Sequence, residues 1–373
     1  MEQQTKIYFD ASFLKNLGGI GRDSRTILSS LIHLNEGKKY EIVLINPIVH
    51  KFTFLAPFGE RKLRIFTLAL RIYCLIFNRP IVLNFPENSI FFQSQPSIFV
   101  TKDDAILHVL RLHDLFPITN PAWFRFLAHR SFKLSIDNIN LHHKLLCDSE
   151  TTRESVTEYF RKSSKQKIVA TVMPCIPGII KGSPCGKCLL CMNINTLENY
   201  FLSVSTIEPR KNYEYLVTVW DKMNKGTEIR EKPALIIIGA YGWKSKRLFV
   251  KLKMGKRKNV FWVKQACDGS LASALKGTNA LISASHNEGF NLPPSEALLL
   301  GTIVYLSDIR VHREIYGDLA IYFDTGEHES LINLVLYGRY QESNFADPRP
   351  VSVVQFIENI TLNFTETLKR SFF

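Results

Sequence analysis

Short apolar runs, separated by segments of helical spacing, recur along the chain and restrict the folds that it can adopt. In the second half these runs are 201-FLSVS-205, 234-ALIIIG-239, 259-NVFWV-263 and 280-ALISAS-285. Continuous apolar runs of this length are typical of parallel strands that helices cover on both faces. The first half begins similarly, with strand 6-KIYFD-10, the glycine-rich turn 18-GGIGR-22, a helix over 24–34 and strand 41-EIVLIN-46. Further strands are predicted at 81–83, 105–110 and 143–149. The pattern predicts an α/β fold built on parallel sheets.

The length of the chain, 373 residues, is suited to two domains that each bury a core. A segment rich in proline, glycine and cysteine, 174–197, predicts the linker between them. We therefore expect an N-terminal Rossmann-like domain over 1–173 and a second one over 198–350. The tail 351–373 has helical spacing and is expected to pack back on the first domain.

The chain is strongly basic, with a net charge of +13 from 47 basic and 34 acidic residues. This excess favours polyanionic partners such as phosphorylated small molecules or anionic lipid head groups, and a solvated basic surface is the alternative. Nucleic acid is not expected, because none of its common binding motifs is visible. The first residues do not resemble a secretion signal, and Arg71 interrupts the longest apolar stretch, 65–77. We expect a cytoplasmic protein, with peripheral contact to the inner face of a membrane as a further expectation.

The membrane expectation depends on one stretch, 61-RKLRIFTLALRIYCLIFNR-79, which is apolar and has basic residues at both ends. A buried core helix is one interpretation. A helix that lies on anionic lipid is the other. The segment 123-WFRFLAHRSFKL-134 repeats the combination of basic and aromatic residues.

Residues 280–306 are predicted to form a strand, a loop, a helix and a second strand, with Glu288 and Glu296 between the strands. The prolines at 293–294 suit the first turn of the helix, and Gly301 suits the position after its end. In parallel sheets, ligands bind at such loops, beyond the carboxyl ends of the strands. We expect Glu288 to face a reacting centre. Glu296, in the first helical turn, either binds ribose hydroxyls beside an anion or serves only the helix dipole.

The longer stretch 283-SASHNEGFNLPPSEALLLGTIVYLSDIRVHREIYGDLAIYFD-324 closely resembles the signature of retaining glycosyltransferases of family 4. Three other segments are similar to elements of that family: 204-VSTIEPRKN-212, 18-GGIGR-22 and 113-HDLFP-117. The resemblance covers nearly the whole chain apart from the cysteine-rich segment. It implies the GT-B architecture, two Rossmann-like domains with parallel sheets that face each other across a cleft.

The resemblance also implies a role for each matching residue. Glu288 and His113 would contact the transferred sugar, while Lys211 and Arg210 would bind the diphosphate of the donor. Glu296 would hold the ribose. Backbone N–H groups would complete the donor site, at Gly18, Gly19, Asn287, Gly289, Phe290, Asn291 and Leu292.

Two positions depart from the family pattern. Many members carry an arginine near the place of Thr206, so Arg210 is expected to supply that charge, and Ser205 replaces a glycine. The sequence contains no Asp-x-Asp motif of the kind that holds a divalent ion on a diphosphate. We therefore expect cationic side chains to do this task, with no cofactor required for catalysis.

Four cysteines are clustered near the predicted linker: Cys175, Cys185, Cys188 and Cys191. Four thiolates suit a structural zinc site, which the family resemblance does not predict. An iron–sulfur cluster and unligated thiols are the alternatives.

Together these features predict a retaining, metal-independent glycosyltransferase that transfers a sugar from a nucleotide-sugar to a growing glycan or a lipid-linked saccharide. Mannose carried by GDP is the favoured donor, because the members that look most similar are mannosyltransferases of O-antigen assembly. One alternative is a nucleotide-sugar epimerase of the same fold. The other is a non-catalytic basic scaffold that binds a membrane or RNA.

Overall fold

The computed structural model of the protein describes residues 5–16, 18–37, 39–57, 59–101, 105–139, 143–163, 168–178, 183, 185–186, 199–226, 232–253, 259–341 and 350–373. The chain divides into two compact units, Met1–Ile176 with Ile360–Phe373, and Pro177–Asn359. Most of the predicted linker, 174–197, lies outside the described ranges. Within these ranges, no helix has both the length and the apolar character needed to cross a membrane.

Parallel strands form the centre of the first unit. Its strands are β1 Thr5–Asp10, β2 Tyr40–Ile45, β3 Ile81–Val82, β4 Ile90–Gln93, β5 Phe99–Val100, β6 Leu107–Leu112, β7 His143–Cys147 and β8 Val169–Val172. The larger sheet has the order β2-β1-β4-β6-β7-β8, and every pair in it is parallel. Strands β3 and β5 pair with each other in a separate two-stranded sheet.

Helices pack against this sheet through apolar side chains spaced by one turn. They are α1 Gly19–Leu34, α2 Pro47–Lys51, α3 Glu60–Phe77, α4 Phe116–Thr119, α5 Phe126–Asp137 and α6 Glu150–Lys162. Ile27 and Leu31 of α1 are buried in one cluster with Ile7 and Phe9 of β1. Ser149 caps the start of α6, because its side chain accepts a hydrogen bond from the backbone N–H of Thr152 at 3.2 Å.

The second unit repeats the architecture. Its strands are β9 Tyr200–Val204, β10 Ala234–Ile238, β11 Val260–Val263, β12 Leu281–Ser283, β13 Val304–Ser307 and β14 Ile321–Phe323. They form one parallel sheet in the order β11-β10-β9-β12-β13-β14. Its helices are α7 Tyr213–Gly226, α8 Lys246–Lys253, α9 Asp268–Gly277, α10 Leu292–Leu299, α11 Arg310–Tyr316 and α12 His328–Gln341. The predicted α/β fold with two Rossmann-like halves is therefore confirmed.

The last helix, α13 (Pro350–Phe372), begins in the second unit and ends in the first. Phe364, Leu368 and Phe372 recur every four residues and therefore lie on one face of the helix. This face is buried in the same cluster as Ile7 and Phe9 of β1.

Three expectations from the sequence differ from the structure. The segment 81–83 pairs with β5 outside the main sheet, while the strand between β1 and β6 is β4, which the sequence did not predict. Helix α3 is buried on one face only, so the interpretation as a buried core helix holds in part. Leu63, Phe66 and Leu70 pack against the core, whereas Ile65 and Ile76 on the opposite face are 64% and 70% exposed.

The third difference concerns Glu296. Helix α10 begins at Leu292, because Asn291 adopts a left-handed conformation and the two prolines then fix helical backbone angles. Glu296 is therefore the fifth residue of the helix, beyond its first turn. The other details of this helix agree with the sequence, since prolines occupy its first turn and Gly301 follows its end with φ of 76°.

Candidate active site

The strand order of the second sheet reverses at β9. Strand β10 lies on one side of β9 and β12 lies on the other, so the chain winds in opposite directions from this point. Ligands of such sheets bind where the strand order reverses, beyond the carboxyl ends of the strands. The loops that follow β9 and β12 are 205–212 and 284–291. They are joined directly, because the backbone N–H of His286 donates to the carbonyl of Arg210 at 2.8 Å.

The loop after β9 is held in place by close backbone contacts with the segment after β10. The N–H of Ile207 donates to the carbonyl of Ala240 at 2.9 Å. A Cβ atom at Gly239 would lie 1.8 Å from the carbonyl oxygen of Ser205, so only glycine fits there. A short 3-10 helix, Pro209–Lys211, follows and presents Arg210 and Lys211.

Arg210 and Lys211 converge on Glu288 from the neighbouring loop. Glu288 is 3% exposed, and the Arg210 guanidinium binds one of its oxygens while Lys211 Nζ lies 2.5 Å from the other. Ser285 Oγ donates to the same carboxylate at 2.6 Å. A second buried acid, Glu208, lies 2.8 Å from Arg210 Nη2. The structure thus brings together the two predicted cations and the first predicted glutamate.

These contacts determine the protonation of the cluster. Burial raises the pKa of Glu288, but Arg210 and Lys211 outweigh this effect and lower the pKa to about 2. Burial lowers the pKa of Lys211, while Glu288 opposes that change. A carboxyl with so low a pKa is ionised at neutral pH and cannot serve as a proton donor there.

A buried polar network supports the loop 287–291. Asn291 has a φ of 78°, which asparagine tolerates better than most residues. Its Nδ2 lies 3.0 Å from His312 Nε2, and His312 Nδ1 lies 2.9 Å from the carbonyl oxygen of Ser307. This pattern requires Nδ1–H to donate to Ser307 and Nε2 to accept from Asn291. The hydroxyl of Tyr316 donates to the carbonyl oxygen of Asn291.

His312 and Tyr316 lie within the signature stretch 283–324, but no role was predicted for them. Their positions within that stretch were the only feature of the sequence that could have identified them. The predicted backbone contacts at Asn287, Gly289, Phe290, Asn291 and Leu292 fall on this supported loop and the first residue of α10. Of these, 289–292 are buried and Asn287 is partly exposed. Glu296 is buried below them, at 2% exposure. The roles given to these residues at a sugar or ribose stay predictions.

The remaining predicted site residues belong to the first unit. Gly18 and Gly19 form the start of α1, where the N–H of Gly18 donates to Asn16 Oδ1 at 2.7 Å. The glycine that packing requires is Gly21, because a Cβ there would lie 1.9 Å from the Asn16 carbonyl oxygen. At the end of β1 the buried Asp10, for which no role was predicted, has its pKa raised by burial to about 6.

His113 follows β6, and its ring Nδ1 lies 2.8 Å from Asp148 Oδ2. Burial lowers the pKa of His113, but the Asp148 carboxylate outweighs burial and the pKa is raised. Asp148 follows β7 and is itself buried. No role was predicted for Asp148, although it lies within the predicted strand 143–149.

The predicted cysteine cluster is only partly described. Cys188 and Cys191 lie outside the described residues, so the four-cysteine metal site stays a prediction. Cys175 is buried in the first unit, where Arg111 Nη2 donates to its Sγ at 3.2 Å, and Cys185 is exposed. Possible ligand atoms of Asp23, His113 and Cys175 lie within 4.8 Å of one another. Arg111 binds Asp23 and Cys175 there, and a nearby guanidinium charge opposes the binding of a metal cation.

Comparison with known proteins agrees with this geometry. Residues 192–337 match the family model for glycosyl transferases group 1. The chain is 28% identical over 235 residues to the serotype-specific mannosyltransferase WbdA of Escherichia coli, and the match covers 59% of this chain and 28% of WbdA. It is 26% identical over 245 residues to the O-antigen chain mannosyltransferase B of the same organism, covering 63% of this chain and 62% of that protein. The chain thus spans less than a third of the length of WbdA.

Solved structures share the fold across both units. WaaG, a glycosyltransferase involved in lipopolysaccharide biosynthesis, superposes with a TM-score of 0.63 at 13% identity, over 97% of this chain and 99% of that chain. Anabaena HepE in complex with UDP and glucose superposes with a TM-score of 0.59 at 14% identity, over 98% of this chain and 100% of that chain. The predicted resemblance is confirmed: residues 192–337 match the family model of group 1 glycosyltransferases, and the chain shares the GT-B fold of WaaG.

Proposed function

We propose that the protein is a retaining glycosyltransferase that moves a sugar from a nucleotide-sugar to a growing glycan or a lipid-linked saccharide. The observation that carries this proposal is the buried cluster of Glu288, Arg210 and Lys211. It lies where the strand order reverses in the domain that matches group 1 glycosyltransferases.

The chemistry of sugar transfer suits this cluster. As the bond from the sugar to the diphosphate breaks, negative charge develops on the departing diphosphate and positive charge develops on the sugar. Arg210 and Lys211 would stabilise the diphosphate, and such fixed charges are each worth a few kcal/mol in transition states, on the order of 3 kcal/mol. Because Glu288 is ionised, it would accept hydrogen bonds from sugar hydroxyls and stabilise the positive sugar. The donor must compete with Glu288 for the two cations, which makes this ion cluster part of donor recognition.

Mannose carried by GDP is the donor that we propose. The support is that several relatives are mannosyltransferases. They are WbdA, the O-antigen chain mannosyltransferase B, and the O-antigen chain mannosyltransferase RfbU of Salmonella typhimurium, which is 28% identical over 135 residues. Residues 287–292 are where the sugar would be distinguished. We further propose that cationic side chains replace a divalent ion on the diphosphate, so that turnover does not need metal.

The purified chain should be incubated with a panel of nucleotide-sugars, with and without EDTA, while release of each nucleoside diphosphate is measured. Slow hydrolysis needs no acceptor, so GDP release from GDP-mannose is the expected result, and it should survive EDTA. The variant Glu288→Gln should release none, whereas Glu329→Gln, which changes an exposed carboxylate of the same unit, should match the wild type.

Other outcomes identify the alternatives. An altered sugar still attached to its nucleotide would indicate an epimerase. If no nucleotide raises the melting temperature and none is released, the proposal is wrong. Salt-dependent binding to RNA or lipid in the same samples would then support a scaffold.

We also propose that α3 lies on an anionic membrane surface. Ile65, Leu68, Ile72 and Ile76 are exposed and share one face of the helix, since they are three or four residues apart. Helix α5 packs against α3 and adds Phe126, which is also exposed. An apolar face of this size, beside basic side chains, is typical of helices that bind in the plane of a membrane. The basic residues of this surface are Arg61, Lys62, Arg64, Arg71 and Arg79.

Vesicle binding tests this surface. The chain should sediment with vesicles of phosphatidylglycerol and phosphatidylcholine, and much less with phosphatidylcholine alone. Replacing Ile65 and Ile76 together by serine should weaken binding about a hundredfold or more, because each buried isoleucine contributes roughly 1.5–3 kcal/mol. The control is Ile32→Ser, because Ile32 is also exposed, at 58%, but lies on α1. Equal binding of both variants would contradict the proposed surface.

A further inference from the structure

A line of buried charges joins α1, β6 and the end of β7 in the first unit. Arg111 of β6 is fully buried, and Asp23 of α1 and Asp148 after β7 are nearly so. Arg111 Nε donates to Asp23 Oδ2 at 2.9 Å, and its Nη2 lies 3.0 Å from Asp148 Oδ1. Its remaining amino group donates to the backbone carbonyl of Met173. Arginine at this position is therefore held from three directions.

Asp148 uses its other oxygen for His113. His113 Nδ1 lies 2.8 Å from Asp148 Oδ2, while His113 Nε2 is buried and has no hydrogen-bond partner among the described residues. An ionised carboxylate only accepts hydrogen bonds, so Nδ1 must carry a proton whether the ring is neutral or charged. The ring atom left to meet a ligand is Nε2.

We propose that Asp148 is a positioning residue for His113, and that Arg111 and Asp23 hold Asp148 in place. The inference deepens the proposed function, because it assumes that His113 acts at the transferred sugar. Asp148 fixes both the orientation of the imidazole and the nitrogen that bears its proton, so that Nε2 is presented to the ligand.

Arg111 and Asp23 explain why Asp148 can stay ionised while it is buried. A buried carboxylate without a partner would be costly and would tend to take up a proton. Arg111 lies against Asp148 and keeps it ionised, and Asp23 balances the second half of the guanidinium. Because Asp23 is on α1, four residues after Gly19, the same ion pairs connect the glycine turn to the imidazole. The sequence gives no sign of this connection, since its members come from α1, β6 and the end of β7.

The first test is NMR of the wild-type protein labelled at the histidine ring nitrogens. The His113 signals are identified by their loss in His113→Gln. The expected result is a protonated Nδ1 at every pH at which the chain is folded. A neutral ring with its proton on Nε2 would overturn the proposal, and this measurement requires neither an active enzyme nor a variant of Asp148.

The second test is Asp148→Asn, with kinetics and NMR on the same samples. The kcat for sugar transfer should fall about ten- to a hundredfold, which is the loss expected for one hydrogen bond to a charged group, and the KM for the donor should change far less. The neutral ring of His113 should then be a mixture of two forms, one with its proton on Nδ1 and one with its proton on Nε2. Asp137→Asn, an exposed carboxylate of α5, is the control that should leave kcat and the His113 signals unchanged.

These outcomes distinguish a failure of the proposed function from a failure of the positioning role of Asp148. If the wild type transfers no sugar from any donor, the proposed function fails, while the NMR result still decides how His113 is held. If the wild type is active and Asp148→Asn keeps its kcat and its His113 signals, the positioning role is wrong. If Asp148→Asn does not fold, the wild-type NMR decides alone.

Discussion

Replacing Glu288 by glutamine measures how strongly its ionised form is stabilised in the second unit. The pKa of Glu288 falls from 4.5 to about 2, because Arg210 and Lys211 outweigh the effect of burial. At about 1.4 kcal/mol for each tenfold change in proton affinity, this fall corresponds to about 3 kcal/mol. Glutamine resembles the protonated carboxyl and leaves the two cations without their partner. E288Q should therefore lower the free energy of unfolding by about 3 kcal/mol at neutral pH.

The same interaction predicts a dependence on pH. A carboxylate whose pKa is lower in the folded state stabilises the fold above its unfolded pKa, and the contribution is lost as the pH falls through the folded value. For Glu288 the loss occurs as the pH falls from 4.5 through about 2. E288Q should lack this loss, so its stability should differ least from that of the wild type at the acid end of the range.

Urea unfolding followed by tryptophan fluorescence is a suitable assay, because three of the four tryptophans, Trp220, Trp243 and Trp262, belong to the second unit. The control is Glu329→Gln, since Glu329 is exposed and lies 3.6 Å from Lys222. Its effect should stay within about 0.5 kcal/mol. A loss below about 1 kcal/mol for E288Q, with an unchanged slope against urea, would refute the reasoning about the buried cluster.

Three further predictions concern other parts of the chain. Gly239→Ala should destabilise the second unit by more than about 2 kcal/mol, because the new Cβ would lie 1.8 Å from the Ser205 carbonyl oxygen, and an unchanged urea midpoint would contradict this contact. Cys267 should react fastest with iodoacetamide among the described cysteines, because hydrogen bonds from Ser270 lower its pKa to about 7, and peptide mapping that finds the label elsewhere would count against this. Burial lowers the pKa of His108 well below 6.5. As the pH falls, the unfolded chain therefore takes up a proton at a higher pH than the folded chain, and the free energy of unfolding should decrease below pH 6.5. His108→Gln should reduce this slope in urea unfolding, and an equal slope would show that another group is responsible.

The parts of the fold that the sequence predicted are those with long local patterns. Strand β10 is a continuous apolar run, and α10 has prolines at its start and a glycine after its end, so neighbouring residues alone decide these elements. Strand β4 was missed because its run is only four residues long and lies among polar residues and proline. The exposure of α3 was undecided because an apolar helix with basic ends has the same sequence pattern in a core and on a surface.

In the candidate active site, too, single residues could be predicted from local sequence, but their contacts could not. Glu288, Arg210 and Lys211 were predicted because they lie in the segments 283–324 and 204–212, which resemble glycosyltransferases of family 4. Their mutual contact could not be derived, since Glu288 and Lys211 are 77 residues apart and meet only when β9 and β12 pair. Asp148 was missed for the same reason, because its importance depends on a pairing with His113 that local sequence does not encode.

The path of α13 has a consequence for the order of folding during synthesis. Phe364, Leu368 and Phe372 complete the core around β1, so the first unit lacks part of its interior until these residues have left the ribosome. The second unit is complete once Asn359 has emerged. The half that is translated first is therefore the half whose core is completed last, and the apolar side chains around β1 stay uncovered while the second unit is being synthesised.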